Sequence, residues 1–141
     1  MTAERRQPAV NGRALIGALW LPLLFWIMVV FFVTLFGYPG VICITPFAWL
    51  LAVPVGRRYV LLSGAQEAVA QRRSAALAGG LLGLLQGLTF IVVILTNGMS
   101  LPEQGLHTAL SGAGTIVLGA LLCAGLAALT ARLQQRSIAG Q

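Results

Sequence analysis

The segment VICITPFAWLLAVPVGRR, residues 41–58, decides how many times this chain crosses a membrane. Val41 to Gly56 carries no charge but is only 16 residues long, short of the roughly 20 that a spanning helix needs. It also contains Pro46 and Pro54, and each proline removes a backbone donor. Two arrangements compete: a re-entrant segment, or a span that continues past Arg57 and Arg58 towards Leu62.

The rule that basic residues stay on the cytoplasmic side selects the span. A re-entrant segment would place Arg57, Arg58, Arg72 and Arg73 opposite Arg5, Arg6 and Arg13. A crossing puts all of these, with Arg132 and Arg136, on one side and leaves none on the other. Arg57 and Arg58 would then snorkel to anionic headgroups at the end of the helix.

On the N-terminal side, Ala14–Phe36 is an uncharged apolar run whose 23 residues make a helix of about 34 Å, enough to cross a hydrocarbon core of roughly 30 Å. It is too long for the h-region of a signal peptide, and FGYPG after it holds no small-x-small cleavage site. Arg5-Arg6 likewise lacks the surroundings of a twin-arginine signal. Residues 1–13 read as a polar cytoplasmic tail in which Pro8, Asn11 and Gly12 break any helix, and Gly37–Gly40 as a tight turn.

On the C-terminal side, Tyr59–Ser74 is a cytoplasmic connection with a break at Ser63-Gly64. Ala65–Ala76 has neither proline nor glycine and favours helix, either projecting from the membrane or lying on its surface. Ala75–Thr96 and Ala109–Ala131 are two further uncharged runs of spanning length, joined by an outer loop that lacks arginine.

The expected fold is therefore all-α: an integral membrane four-helix bundle of two hairpins, N-in and C-in. A single transmembrane domain covers 14–131, with spans at about 14–36, 41–62, 75–96 and 109–131, and 132–141 forms a second cytoplasmic tail. The expected location is a multi-pass protein of the bacterial inner membrane.

Composition agrees with lipid as the solvent. Of the 141 residues, 58% are hydrophobic and 9% charged, against roughly 25% charged in a soluble domain. The net charge of +6 does not point to nucleic acid, because the arginines sit at the ends of apolar runs and form no stripe on one element. Cys43 and Cys123 lie at different expected depths, too far apart for a disulfide, and are expected as two free thiols.

The front of the chain is built of large residues, among them Trp20, Phe25, Trp26, Phe31, Phe32 and Phe36, and the back of small ones. Gly79, Gly83 and Gly87 recur every four residues, as do Ser111, Thr115, Gly119, Cys123, Ala127 and Ala131. Helices in lipid associate closely through such small residues, so these faces are expected to pack, either on each other as a hairpin or against another subunit. Tyr38 and Tyr59 suit an interfacial aromatic belt, while Trp26, near mid-span, suits contact with a neighbouring helix or a lipid-like ligand.

Chemistry is sparse. Gln86 is the strongly polar residue of the third run, and its amide needs a partner in hydrocarbon. An interhelical hydrogen bond to a hydroxyl or backbone carbonyl would satisfy it; contact with a quinone, pigment or solute is the sharper option. Glu103 and His107 are four residues apart, too few ligands to make a metal site.

Glu4, Glu67 and Glu103 all lie outside the apolar runs, whereas coupled transporters carry ionisable groups inside theirs. No triad, paired carboxylates, HExxH or phosphate loop is present, so no enzyme and no metal or cofactor site is expected, although a bound lipid, quinone or pigment stays open.

The leading expectation is a non-catalytic accessory subunit of a larger respiratory, photosynthetic or transport complex, whose partners are membrane lipids and other membrane subunits. The alternatives are a homo-oligomeric or holin-like pore and a lipid-binding module shaped by Pro46 and Pro54.

Overall fold

A computed structural model describes residues 10–36, 48–64, 67–96 and 105–140. Four helices account for nearly all of them: α1 (Gly12–Phe36), α2 (Ala52–Ser63), α3 (Ala68–Thr96) and α4 (Gly105–Ala139). No strand occurs among the described residues. Three of the helices contain stretches long and apolar enough to cross a membrane, Gly12–Phe32, Ala68–Val92 and Gly112–Ala139.

Asn11 starts α1. Its side-chain Oδ1 accepts from the Ala14 amide at 3.3 Å, and its carbonyl accepts from Leu15 at 2.9 Å, which is how an asparagine satisfies the free amides of a first turn. The expectation that Asn11 and Gly12 break the chain is corrected: the same polar side chain that competes with a helix interior caps a helix end. Along α1, Ala14, Ala18, Pro22 and Trp26 are buried at four-residue intervals and form the inward face.

The break before α2 follows from Pro54. With no N–H, Pro54 cannot bond the Leu50 carbonyl, and its ring crowds that position. Val53 takes the Leu50 carbonyl at 3.0 Å instead, and Leu51 takes that of Ala48 at 3.1 Å. A short helical turn at Ala48-Trp49 is thereby set off from α2 by a bend at Leu50-Leu51. α2 ends at Ser63, where Gly64 has φ 61°, a left-handed value that glycine adopts without steric penalty.

This shortest helix is the most central. α2 touches α1, α3 and α4 and buries Ala52, Val55, Gly56, Tyr59, Val60 and Ser63. Tyr59 is fully buried, which corrects its expected place in an exposed belt: its hydroxyl oxygen accepts from the Asn11 amide at 3.3 Å, so the ring fills the core while its polar end closes α1. Of residues 41–62, the first seven lie outside the described residues.

α3 and α4 form the most extensive helix contact and run antiparallel, with Gly87 against Ile116, Gly83 against Ala120 and Gly79 beside Cys123 and Ala127. Both exceed the expected spans. α3 begins at Ala68, seven residues before the apolar run, and α4 continues through the polar tail to Ala139, because neither extension contains a residue that stops a helix. α1 packs chiefly on α2 and to a smaller extent on α3.

Candidate functional site

The Ala48 carbonyl is an acceptor in the middle of the fold. It takes the Leu51 amide at 3.1 Å and keeps a second lone pair, to which the Gln86 Nε2 donates at 2.9 Å. On the other side of the amide, the Cys123 Sγ donates to Gln86 Oε1 at 3.8 Å and approaches the Trp49 carbonyl at 4.0 Å, both weak sulfur contacts. Gln86 is buried and joins the 48–49 turn, α3 and α4 in one polar node.

Glycine makes room for the node. A Cβ on Gly119 would stand 3.2 Å from the Trp49 Nε1, so the indole of Trp49 lies directly over the α4 backbone. Trp26, Trp49, Gln86, Phe90, Gly83 and Gly119 surround a recess of about 20 Å³, the scale of one water molecule. Trp26 lies at its edge, buried, and its Nε1 has no hydrogen-bond partner among the described residues.

Of the small-residue positions, the structure brings Gly79 against Cys123 and Ala127 and Gly83 against Gly119, whereas Gly87 faces Ile116. A Cβ on Gly83 would fall 2.7 Å from both the Ala120 Cα and the Gly119 carbonyl oxygen, a separation that only glycine permits. Ser111 and Thr115 belong to α4, but their side chains lie outside the described residues, as does that of His107. Glu103, Cys43, Arg5 and Arg6 are also outside them. Cys123 is a buried free thiol.

A second polar cluster, which sequence reasoning missed, fastens the α2–α3 turn. Gln71 is buried; its Nε2 donates to the Ser63 Oγ at 3.0 Å and to the Gly64 carbonyl at 2.9 Å. Its Oε1 accepts from Gln135 Nε2 at 2.8 Å, and the same Gln135 nitrogen donates to the Ala68 carbonyl at 2.9 Å. The available signal was a glutamine in a stretch expected to be helical, three residues before the buried Ser74.

The antiparallel order gathers Arg13, Arg57, Arg58, Arg72, Arg73, Arg132 and Arg136 towards one end of the molecule. The Gln71–Gln135 bond sets the level, and the N-terminus of α1 reaches Tyr59 of α2 at the same end. Arg72 donates from Nε to the Ala68 carbonyl at 3.3 Å, and the Arg58 Nη1 is buried without a hydrogen-bond partner among the described residues. No three His, Cys, Asp or Glu side chains gather among the described residues.

Two recesses open on the outer surface. One, about 260 Å³, lies between α1 and α2 and is flanked by Pro22 and Pro54, at the place where the sequence suggested a proline-shaped pocket; Pro46 is outside the described residues. The other, about 600 Å³, runs along the junction of α3 and α4. Compared with protein-family models, curated proteins and solved structures, the chain matches none.

Proposed function

We propose that this chain is a non-catalytic subunit of a larger membrane complex, a four-helix bundle with both ends cytoplasmic, which holds neighbouring transmembrane helices in place. The observation that carries this reading is Trp20. It lies eight residues into α1, about 12 Å along the helix, and is 52% exposed. Tryptophan facing lipid prefers the headgroup level, whereas the Trp20 backbone lies six residues, about 9 Å, inside the apolar run that starts at Ala14.

Around it Ile16, Leu24, Ile27 and Phe31 are also at least half exposed, so apart from the buried Trp26 α1 turns Ala14, Ala18 and Pro22 inward and these large residues outward. A partner helix laid along this face would cover the indole. The glycine face of α3 is meanwhile covered by α4, and Gln86 is engaged within the chain, which supports a holding role over a pore lined by Gln86.

Photo-crosslinking tests the reading directly. With a photoreactive amino acid at Trp20 in native membranes, the expected result is a discrete crosslinked protein band, reduced when the probe is moved to inward-facing Ala18. Crosslinks to lipid alone at position 20, together with a lone monomer in gentle-detergent native mass spectra, would overturn it.

A further inference from the structure

We propose that the groove between α3 and α4 binds one anionic phospholipid of the arginine-side leaflet, with its phosphate at Arg73 and an acyl chain along Gly80. The inference rests on the membrane placement above and is independent of the contact at Trp20.

The shape is that of an acyl-chain slot. Gly80, Ala120 and Ala124 form its floor, where a Cβ on Gly80 would lie 3.7 Å from the Ala124 Cβ, so the two backbones approach closely without bulk above them. Leu77 and Leu121 stand at its rims, 58% and 65% exposed. The volume is about 600 Å³ and the lining apolar apart from Arg73.

Its length separates a lipid from a helix. The lining runs along α3 from Arg73 to Leu84, eleven residues and about 16 Å, or roughly half of a 30 Å hydrocarbon core. A lipid occupies one leaflet in this way. Beyond Leu84 the face continues with Leu88 and Val117, each more than half exposed, and neither lines the recess.

The charge is at the right end. Arg73 begins the groove at the arginine-rich end of the molecule, is exposed, and has no hydrogen bond or ion pair among the described residues. Arg132 follows Leu121 by eleven residues, about three turns, and so shares its face of α4. The bond from Gln135 to Gln71 brings it to the level of Arg73. Guanidinium groups bind phosphate oxygens through paired N–H donors.

Native mass spectrometry of the full chain in detergent, with phosphatidylglycerol or phosphatidylcholine added, tests the proposal. One phosphatidylglycerol should be retained per chain in preference to phosphatidylcholine. Arg73→Gln should lower that retention about fivefold, the factor that one arginine beside an anionic surface contributes, with Arg73→Lys retaining most of it. Gly80→Leu, which fills the groove floor, should lower retention of both lipids. Arg57→Gln, an exposed arginine off the groove, should lower phosphatidylglycerol retention far less than Arg73→Gln does.

Equal retention of the two lipids by the wild type, or equal effects of Arg73→Gln and Arg57→Gln, would overturn the proposal. So would dimers, or a bound protein, that disappear in Gly80→Leu while lipid retention stays unchanged, since the groove would then hold a helix. Arg73→Gln is a surface change that leaves the helix contacts intact, so its outcome stands even if Gly80→Leu misfolds.

Discussion

Gln86 on α3 donates a 2.9 Å hydrogen bond to the carbonyl of Ala48, joining two segments 38 residues apart in the chain at the point where Pro54 has disrupted the helical ladder. The Ala48 oxygen already holds the Leu51 amide, whereas the buried glutamine amide would be a liability in lipid alone; their bond fixes how the 48–64 segment sits on the α3–α4 pair.

Replacing Gln86 by Leu keeps the volume and removes the bond. Interhelical hydrogen bonds in membranes average about 0.6 kcal/mol and reach about 1.7, and the Ala48 oxygen keeps its bond from Leu51. Gln86→Leu should therefore destabilise the fold by about 1 kcal/mol, measured by unfolding in mixed detergent and SDS. A variant as stable as wild type would show that the bond contributes nothing. Gln86→Glu should cost more, because it places a carboxylate among apolar walls.

The α3–α4 contact predicts a contrast between two glycines three residues apart. A methyl on Gly83 would meet the Ala120 and Gly119 backbones at 2.7 Å, whereas a methyl on Gly80 meets nothing closer than 3.7 Å. Backbone cannot yield as a side chain can, so Gly83→Ala should destabilise by about 1–3 kcal/mol, while Gly80→Ala stays within about 1 kcal/mol of wild type. The same SDS titration reads both, and equal effects would refute this register.

Gly56 shows how far the sequence could be read. As the last residue before Arg57-Arg58 it ends an apolar run, and it closes the line Ala48, Ala52, Gly56, small residues every four positions among the prolines. In the structure a Cβ on Gly56 would collide with the Ala127 carbonyl and the Thr130 hydroxyl of α4. Length and charge reveal apolar runs, because lipid acts on every residue of a run alike. Which face packs depends on partners distant in sequence, and for α2 those lie on three other helices. The glycines of α3 stand out in the sequence because they recur every four residues, as do the small residues of the next apolar run. Gly56→Ala should destabilise by about 1–3 kcal/mol and loosen the α2–α4 contact, seen as faster amide exchange in α2.

The Gln71 clamp was not legible for a related reason: a lone glutamine in a polar connection looks solvated until its neighbours are known. Its amide group contacts Ser63, Gly64 and Gln135, so Gln71→Ala leaves the Ser63 hydroxyl and the Gly64 carbonyl without that donor. The expected cost is about 1–3 kcal/mol, concentrated as lost exchange protection at residues 67–71. Gln135→Ala, on the more exposed side of the cluster, should do less. Equal protection in all three proteins would mean that the cluster does not hold the turn.

The number of crossings gives the last prediction. α2 begins beyond a bend whose Trp49 lies over Gly119, and it ends where Ser63 meets Gln71, close to the level of Gln135 on α4. Ala48 to Ser63 thus descends about 22 Å at 1.5 Å per residue, from beside the middle of α4 to its arginine-bearing end. The described part of the run alone covers about two thirds of a hydrocarbon core of roughly 30 Å. In a background of Cys43→Ala and Cys123→Ala, an impermeant maleimide applied outside intact cells should label Gly40→Cys and Gln104→Cys. Glu67→Cys, on an exposed residue, should react only after permeabilisation, and its labelling from outside would refute the crossing and the common side of the arginines with it.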